Sequence, residues 1–331
     1  MKGISVIIPT RNRAAYLKQA VESVLYQDLP PDRCEILIVD NGSSDDTKAV
    51  VEDIVRAHGR RVAYTYESEP GLHNARHRGA HEAQGDILVY IDDDIIAAPG
   101  WLRAIHGAFS DRDAVLAGGK ILPQWEGDVP EWLEVFRDKD AQGWRIGHLS
   151  LLDLGDHPRT IPATCVYGCN FAVRRAVLYE CGGFHPDSMP EGLIKYRGDG
   201  ETALSRAIEK KGYKAVYEPA ACVYHRVPRE RLTVEYFCRR AFHQGISDSF
   251  REIRRSHGMD GGLGDNDNKN GVLAFAYRNV FRFVDRLKTS PVQRAIRKKV
   301  AQAHEEGKAY LVRQTQDDPE LLRHVLQESY F

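Results

Sequence analysis

Ile4 to Ile8, Glu35 to Val39, Val62 to Tyr66 and Asp86 to Ile91 are short, apolar, β-rich runs, and helical patterns fill most of the gaps between them. Leu17, Val21, Val24 and Leu25 fall on one face of the first helical pattern; Val50, Val51, Ile54 and Val55 mark the second, after a start rich in Ser and Asp. Strand and helix in alternation imply a twisted, mostly parallel α/β sheet with right-handed crossovers, helices on its faces and ligands at the carboxyl ends of its strands. Those ends are Pro9 to Arg13, Asp40 to Asp46, Glu67 to Leu72 and Asp92 to Asp94. At 331 residues, 42 % hydrophobic and 28 % charged, the chain can bury one large core or two smaller ones.

The rest of the chain is less regular. Pro99 to Phe109 is expected to be helical, Val115 to Leu122 extended, and the Trp-containing stretch Pro123 to Leu154 to shape a second pocket. A helical period resumes over Glu201 to Lys211, Gly212 stops it, and a strand follows near Tyr213 to Tyr217. Beyond His225 the pattern is predominantly helical, and Asp260 to Gly271 has the composition of a mobile loop. The expected division is therefore 1–225, an α/β unit with its candidate site at the strand ends, and 226–331, a helical extension.

The net charge of −1 conceals an asymmetry: between Arg226 and Val300 there are 17 Lys and Arg against 8 Asp and Glu. Clusters such as Arg239-Arg240, Arg254-Arg255 and Arg297-Lys298-Lys299, interleaved with Tyr236, Phe237, Phe242 and Phe250, suit an anionic membrane surface, a charged acceptor or a contact with a second copy. Solvated helix faces account for them equally. No nucleic-acid module accompanies them, so nucleic acid is not an expected partner. Met1 to Thr10 has no leader-like apolar core, and no run approaches the ~18 residues of a membrane span. A cytoplasmic chain is expected, with peripheral contact at the inner membrane face as its furthest excursion. The six cysteines show no CxxC pair and are expected to be reduced and packed.

A few residues stand out for chemistry. Asp92, Asp93 and Asp94 close an apolar strand, and three adjacent carboxylates repel one another unless a divalent cation neutralises them; an acidic surface turn is the alternative. Strand alternation would send Asp92 and Asp94 to one side and Asp93 to the other. At the end of the second strand Asp40 can accept hydrogen bonds from a ribose or base, while Ser44, Asp45 or Asp46 can cap the helix that follows. Trp125, Trp132 and Trp144 offer faces to a sugar ring or belong to the core.

Ser5-Val6-Ile7-Ile8-Pro9-Thr10-Arg11-Asn12-Arg13, Ile38-Val39-Asp40-Asn41-Gly42-Ser43-Ser44-Asp45-Asp46-Thr47, Gly71-Leu72-His73-Asn74-Ala75-Arg76, Tyr90-Ile91-Asp92-Asp93-Asp94 and Pro99-Gly100-Trp101-Leu102, in that order, closely resemble glycosyltransferase family 2 over roughly Lys2 to His225. The resemblance implies a GT-A fold, Rossmann-like, and a metal-dependent inverting transfer from a nucleotide sugar, a UDP-sugar by default, to a hydroxyl of a glycan, lipid-linked saccharide or small molecule. It implies that Pro9, Thr10, Arg11, Arg13, Asp40, Glu67, Gly71, Arg76, Asp92 and Asp93 serve the nucleotide, and that Asp94 and His225 hold Mn²⁺ or Mg²⁺. Gly168 and Asn170, in Gly168-Cys169-Asn170-Phe171, would lie on the sugar or acceptor side, with Trp125 beside them.

Two departures bear on mechanism. Relatives commonly have Asn where this chain has His77. The motif that carries the catalytic base is altered to Asp199-Gly200-Glu201-Thr202-Ala203-Leu204, so the base is Glu201 or Asp199; both are also acids favoured at a helix start. A carboxylate of either length has the right pKa class. The rival expectations are a degenerate sugar-nucleotide-binding protein, prompted by that altered motif, and a nucleotidyltransferase, which would want glycine in Pro9 to Arg13, where there is none.

Overall fold

The computed structural model describes residues 3–28, 30, 33–259 and 289–331; the loop expected over Asp260 to Gly271 lies outside them. The first half runs β1 (Ile4–Thr10), α1 (Ala14–Leu25), β2 (Cys34–Asp40), α2 (Thr47–His58), β3 (Val62–Tyr66), α3 (Leu72–Glu82), β4 (Ile87–Ile91), β5 (Ile95–Ala97) and α4 (Trp101–Ala108). There follow β6 (Ala114–Gly118), β7 (Ile121–Trp125), β8 (Asp138–Asp140), β9 (Gly143–Ile146), β10 (Leu151–Asp153), β11 (Arg159–Ile161), β12 (Asn170–Arg174), α5 (Arg175–Glu180), α6 (Glu201–Lys210), β13 (Lys214–Tyr217) and β14 (Val223–Val227). Three helices complete it: α7 (Val234–Ser256), α8 (Pro291–Asp317) and α9 (Pro319–Val325).

One eight-stranded sheet has the order β11-β13-β6-β12-β4-β1-β2-β3. The pairs β1–β2, β2–β3, β1–β4 and β6–β13 are parallel, as the alternation of strands and helices requires, whereas β12 is antiparallel to both β4 and β6. Every residue of β1 and β4 is buried, which is why both are nearly unbroken apolar runs: a central strand covered on both faces has no polar side to show. The Trp-containing middle stretch contributes to a second sheet, β5-β14-β7-β10-β9-β8, that sequence periodicity did not reveal. It starts where β5 leaves the acidic triplet, and β14 brings His225 alongside Ile95.

Of the three residues expected to cap helix α2, Asp45 is the one whose side chain binds its first turn. Asp46 occupies the N-cap position without a side-chain cap bond, and Asp45 instead accepts the backbone N–H and hydroxyl of Thr47. Helix α8 opens with a reciprocal capping box between Ser290 and Gln293 and a proline in its first turn.

The C-terminal helices do not pack apart from the rest. Phe237, Ala241 and Val300 belong to the main core, and β14 runs across the expected boundary at residues 225 and 226. Trp132 meets Phe237 edge-on at 5.0 Å, which makes it a core residue. Ile246, Phe250, Leu311, Leu321 and Val325 form a smaller satellite core. Arg254 is buried there, donating to the carbonyls of Val325 and Gln327, so it is a structural arginine and not part of a basic surface. Arg239, Arg255, Arg297, Lys298 and Lys299 are exposed. Among the described residues no helix is long and apolar enough to cross a membrane, and all six cysteines are free.

Candidate active site

The ends of β1 and β4, the turn after them and the start of α7 line a cleft that is open to solvent. Pro9, Thr10, Arg11, Arg13, Asp92, Asp93, Asp94 and His225 all line it, so the structure gathers here eight of the seventeen residues singled out from sequence, the base candidates Glu201 and Asp199 not among them. Leu149, Ser150, Ser188, Arg231, Tyr236 and Arg240 complete the opposite wall. Asn12, Ser150 and Ser188 are the non-glycine residues with left-handed backbone among the described residues, and all three sit in or beside this cleft. Such conformations persist where surrounding structure enforces them, and they concentrate at ligand sites.

The three aspartates lie in the turn between β4 and β5 and diverge as alternation predicts. Asp93 is buried and accepts the Thr10 hydroxyl at 2.7 Å; burial and the adjacent Asp94 push its carboxyl up to about 8. Asp94 turns the other way, toward Arg231 (2.6 Å), His225 (3.4 Å) and Arg13 (3.9 Å). Burial disfavours its charge, but these basic neighbours outweigh burial and hold the carboxyl well below the usual range.

His225 fixes its own tautomer. Its Nδ1 donates to the Leu149 carbonyl at 2.9 Å, since a carbonyl can only accept, and Nε2 receives an N–H of Arg231 at 2.9 Å. Nε2 therefore carries a lone pair, and it faces Asp94 Oδ1, a buried oxygen with no hydrogen-bond donor. The Arg231 guanidinium bridges the two side chains, and the backbone bond behind the imidazole is the arrangement that orients metal-ligating histidines, so Asp94 and His225 could together hold a divalent cation in its place. The donor set suits Mg²⁺ or Mn²⁺. Among the described residues no three His, Cys, Asp or Glu side chains are gathered as a metal cluster.

Arg76, fully buried on α3, connects the acidic turn to the base candidates. One nitrogen donates to Glu201 Oε2 at 3.4 Å, another lies 3.8 Å from Asp92, and the guanidinium stands 5.1 Å above the Phe184 ring. Burial opposes its charge, but Glu201, Asp92 and Asp187 more than restore it. The Gly168 N–H donates to Glu201 Oε1 at 3.2 Å. A Cβ at Gly168 would come within 2.5 Å of Arg76 and 3.0 Å of Glu201, so this glycine makes room for the pair.

Glu201 opens α6, with its side chain 27 % exposed. Asp199 is 6 % exposed and hydrogen-bonded to His185 Nδ1 at 2.7 Å. Between them Gly200 takes a φ of +58° with Asp187 against it, a backbone shape and space that a side chain would not tolerate.

Several expected contacts are placed elsewhere. Asn170 is fully buried, its oxygen accepting from Trp101 Nε1 and its nitrogen donating to the Ala221 carbonyl, so its amide is committed to the fold and not offered to a sugar. Trp125, at the end of β7, does not line the cleft. Asp40 is buried and accepts from the Ser43 N–H and the Tyr64 hydroxyl, and the half-buried Glu67 accepts the N–H of Glu69; neither is among the residues that line the cleft. Gly71, at φ +129°, donates its N–H to Asn41, whose amide also binds the carbonyls of Glu67 and Glu69 and staples that loop to the end of β2.

Arg231, Ser150 and Ser188 are cleft residues that sequence reasoning did not single out. Arg231 is one of several arginines in a basic stretch, and no spacing sets it apart.

Against known proteins, the family model described as glycosyl transferase family 2 matches residues 5–182. A glucosyl-dolichyl phosphate glucuronosyltransferase of Haloferax volcanii is 27 % identical over 253 residues, 76 % of this chain and 77 % of that protein. A pre-mycofactocin glycosyltransferase of Mycobacterium tuberculosis is 27 % identical over 248 residues, 74 % of this chain; there the match spans 46 % of the relative's length. The solved mannosyltransferase PcManGT of Pyrobaculum calidifontis, in complex with GDP-Man and Mn²⁺, superposes with a TM-score of 0.56 at 19 % identity, covering 97 % of this chain and 85 % of its own. GalNAc-T7 with UDP, GalNAc and Mn²⁺ gives 0.51 at 22 % identity, covering 68 % and 43 %.

Proposed function

The chain belongs to glycosyl transferase family 2 and is a glycosyltransferase, and from that premise we propose that it transfers a sugar, with inversion and with a divalent cation, from a nucleoside diphosphate donor to an acceptor hydroxyl. The observation that carries this reading is the buried Oδ1 of Asp94, which no donor reaches, 3.4 Å from His225 Nε2 in the cleft between the ends of β1 and β4. Asp94 and His225 would hold the ion, which supplies Lewis-acid stabilisation of the departing diphosphate. The two structural neighbours that hold Mn²⁺ make it the first ion to try.

In this reading Pro9, Thr10, Arg11, Arg13 and Asp92 line the donor half, and a UDP-sugar is the default donor. Asp93, made neutral by burial, shapes the turn through Thr10. Glu201 is the base. It takes the proton from the acceptor hydroxyl as that oxygen bonds to the anomeric carbon; the bond from that carbon to the diphosphate breaks, and its electron pair leaves with the diphosphate. Arg76 and the Gly168 N–H each hold one of the two carboxylate oxygens and so orient the group. Ser150, Ser188, Tyr236 and Arg240 give the facing wall hydroxyl groups and a cation, which suits a saccharide or other polyhydroxyl acceptor.

The test is calorimetric titration of UDP, GDP and dTDP with and without Mn²⁺, on wild type and on Asp94→Ala. One nucleotide should bind only with the ion, and Asp94→Ala should lose that binding by at least about tenfold, the weight of one strong ligand. Absence of nucleotide binding under every condition overturns the reading.

A further inference from the structure

Arg231 sits on the turn between β14 and α7 and reaches back into the cleft, 15 % exposed. One terminal nitrogen donates to Asp94 Oδ2 at 2.6 Å and the other to His225 Nε2 at 2.9 Å. These are the two side chains whose geometry suits a divalent cation. An imidazole nitrogen has a single lone pair, so His225 Nε2 serves either the Arg231 N–H or a metal ion, never both.

We propose that Arg231 is a partner-exchanging residue of the donor site: it neutralises Asp94 and His225, gives them up to the cation that arrives with the nucleotide, and turns its guanidinium onto the donor diphosphate. The inference rests on the nucleotide-sugar reading above. Three observations support it. Arg231 already lines the cleft together with Thr10, Arg13 and the aspartates, so the exchange needs rotation of a flexible side chain and no movement of backbone. A guanidinium presents paired N–H groups that match phosphate oxygens as well as they match carboxylates. Arg13, 3.9 Å from Asp94, already sits beside the same carboxylate, so Asp94 is not left without a basic neighbour when Arg231 departs.

The exchange has an energetic signature that a purely structural arginine lacks. A residue that competes for the metal's ligands weakens binding of the bare ion, and a residue that also grips the diphosphate strengthens binding of the nucleotide–ion pair. Removing Arg231 must therefore move the two affinities in opposite directions.

The experiment uses the full chain as wild type, Arg231→Gln and Arg231→Lys, with circular dichroism to verify folding. Mn²⁺ alone is titrated by the electron paramagnetic resonance signal of the free ion, and UDP, GDP and dTDP are titrated in saturating Mn²⁺ by calorimetry. Arg231→Gln is expected to bind Mn²⁺ alone about tenfold more tightly than wild type and to bind the preferred nucleotide with Mn²⁺ about tenfold more weakly, with Arg231→Lys intermediate in both. If the glutamine variant fails to fold, the lysine variant carries the same two-way comparison. Affinities that fall together, rise together or stay put, in a wild type that binds nucleotide with metal, overturn the exchange and leave the transferase reading standing. A wild type that binds no nucleotide overturns both.

Discussion

Glu201 and Asp199 are two residues apart, yet their surroundings separate their roles. Asp199 is closed off and spoken for by His185, whereas Glu201 keeps an exposed edge and is oriented by Gly168 and Arg76. Glu201→Gln is therefore expected to lower kcat by about 10²- to 10⁴-fold, the usual worth of a general base, while nucleotide affinity changes little. Asp199→Asn should cost less than about tenfold, because an amide oxygen can still accept from His185. Release of UDP from a UDP-sugar gives the rates and calorimetry the affinities; the reverse ranking would make Asp199 the base. Sequence alone could not separate the two, since both are acids at a helix start. What decides is burial, which depends on how the segment from Gly183 to Gly200 folds back over α6. Asn170 shows the converse: its motif pointed to a sugar, but Trp101 and the Ala221 carbonyl, 69 and 51 positions away, claim its amide.

Among the elements, the pairing of α7 with α8 depends on two glycines. A Cβ at Gly245 would lie 2.0 Å from the His304 carbonyl oxygen, and one at Gly307 would lie 2.0 Å from that of Phe242. Backbone cannot yield as a side chain can, so Gly245→Ala or Gly307→Ala should force the helices apart and destabilise the protein by about 2 to 4 kcal/mol in urea denaturation. Gly107 supplies the contrast: it is exposed on α4, with nothing within 4 Å of the place a methyl group would take, and Gly107→Ala should stabilise by about 0.5 to 1 kcal/mol. Equal effects at the three sites would refute the close crossing. The repeating strands and helices from β1 to β4 were legible because burial on both faces writes continuous apolar runs into the sequence. The second sheet was not: β8 to β10 are three or four residues each, too short to establish a period, and β8 is wholly exposed.

For the whole molecule, buried histidines set a lower pH limit. Burial pushes His73 down to about 4 and His77 down to about 3, and His77 Nε2 must stay unprotonated to accept the Phe184 N–H. Both groups therefore stay neutral in the folded protein while the unfolded chain takes up protons below its ordinary value of about 6.5. Their contribution to stability is complete above about 6.5 and is lost as pH falls through the folded values, on the order of 2 kcal/mol from each by pH 4. Urea midpoints from pH 7 to 4.5 should fall for wild type and fall less steeply for His77→Asn, which keeps an acceptor but cannot titrate; parallel curves would exclude this origin. The His77 ring packs 4.3 Å from that of Phe331, a long-range partner that no local pattern announces. The molecule is in this sense knit from far-apart segments: the donor half of the cleft comes from residues 9–94, and its facing wall from residues 149–240.

That division has a consequence in time. Protein synthesis adds roughly 5 to 20 residues per second, so Arg231 leaves the ribosome about 7 to 27 s after Asp94. Throughout that interval the nascent chain carries Asp94 with Arg13 beside it but without the shorter ion pair that Arg231 supplies. The N-terminal half can collapse around β1 and β4 early, with Arg76 already available to Asp92 and Thr10 to Asp93, but the 2.6 Å pairing of Asp94 with Arg231 forms only after the polypeptide has grown past residue 231.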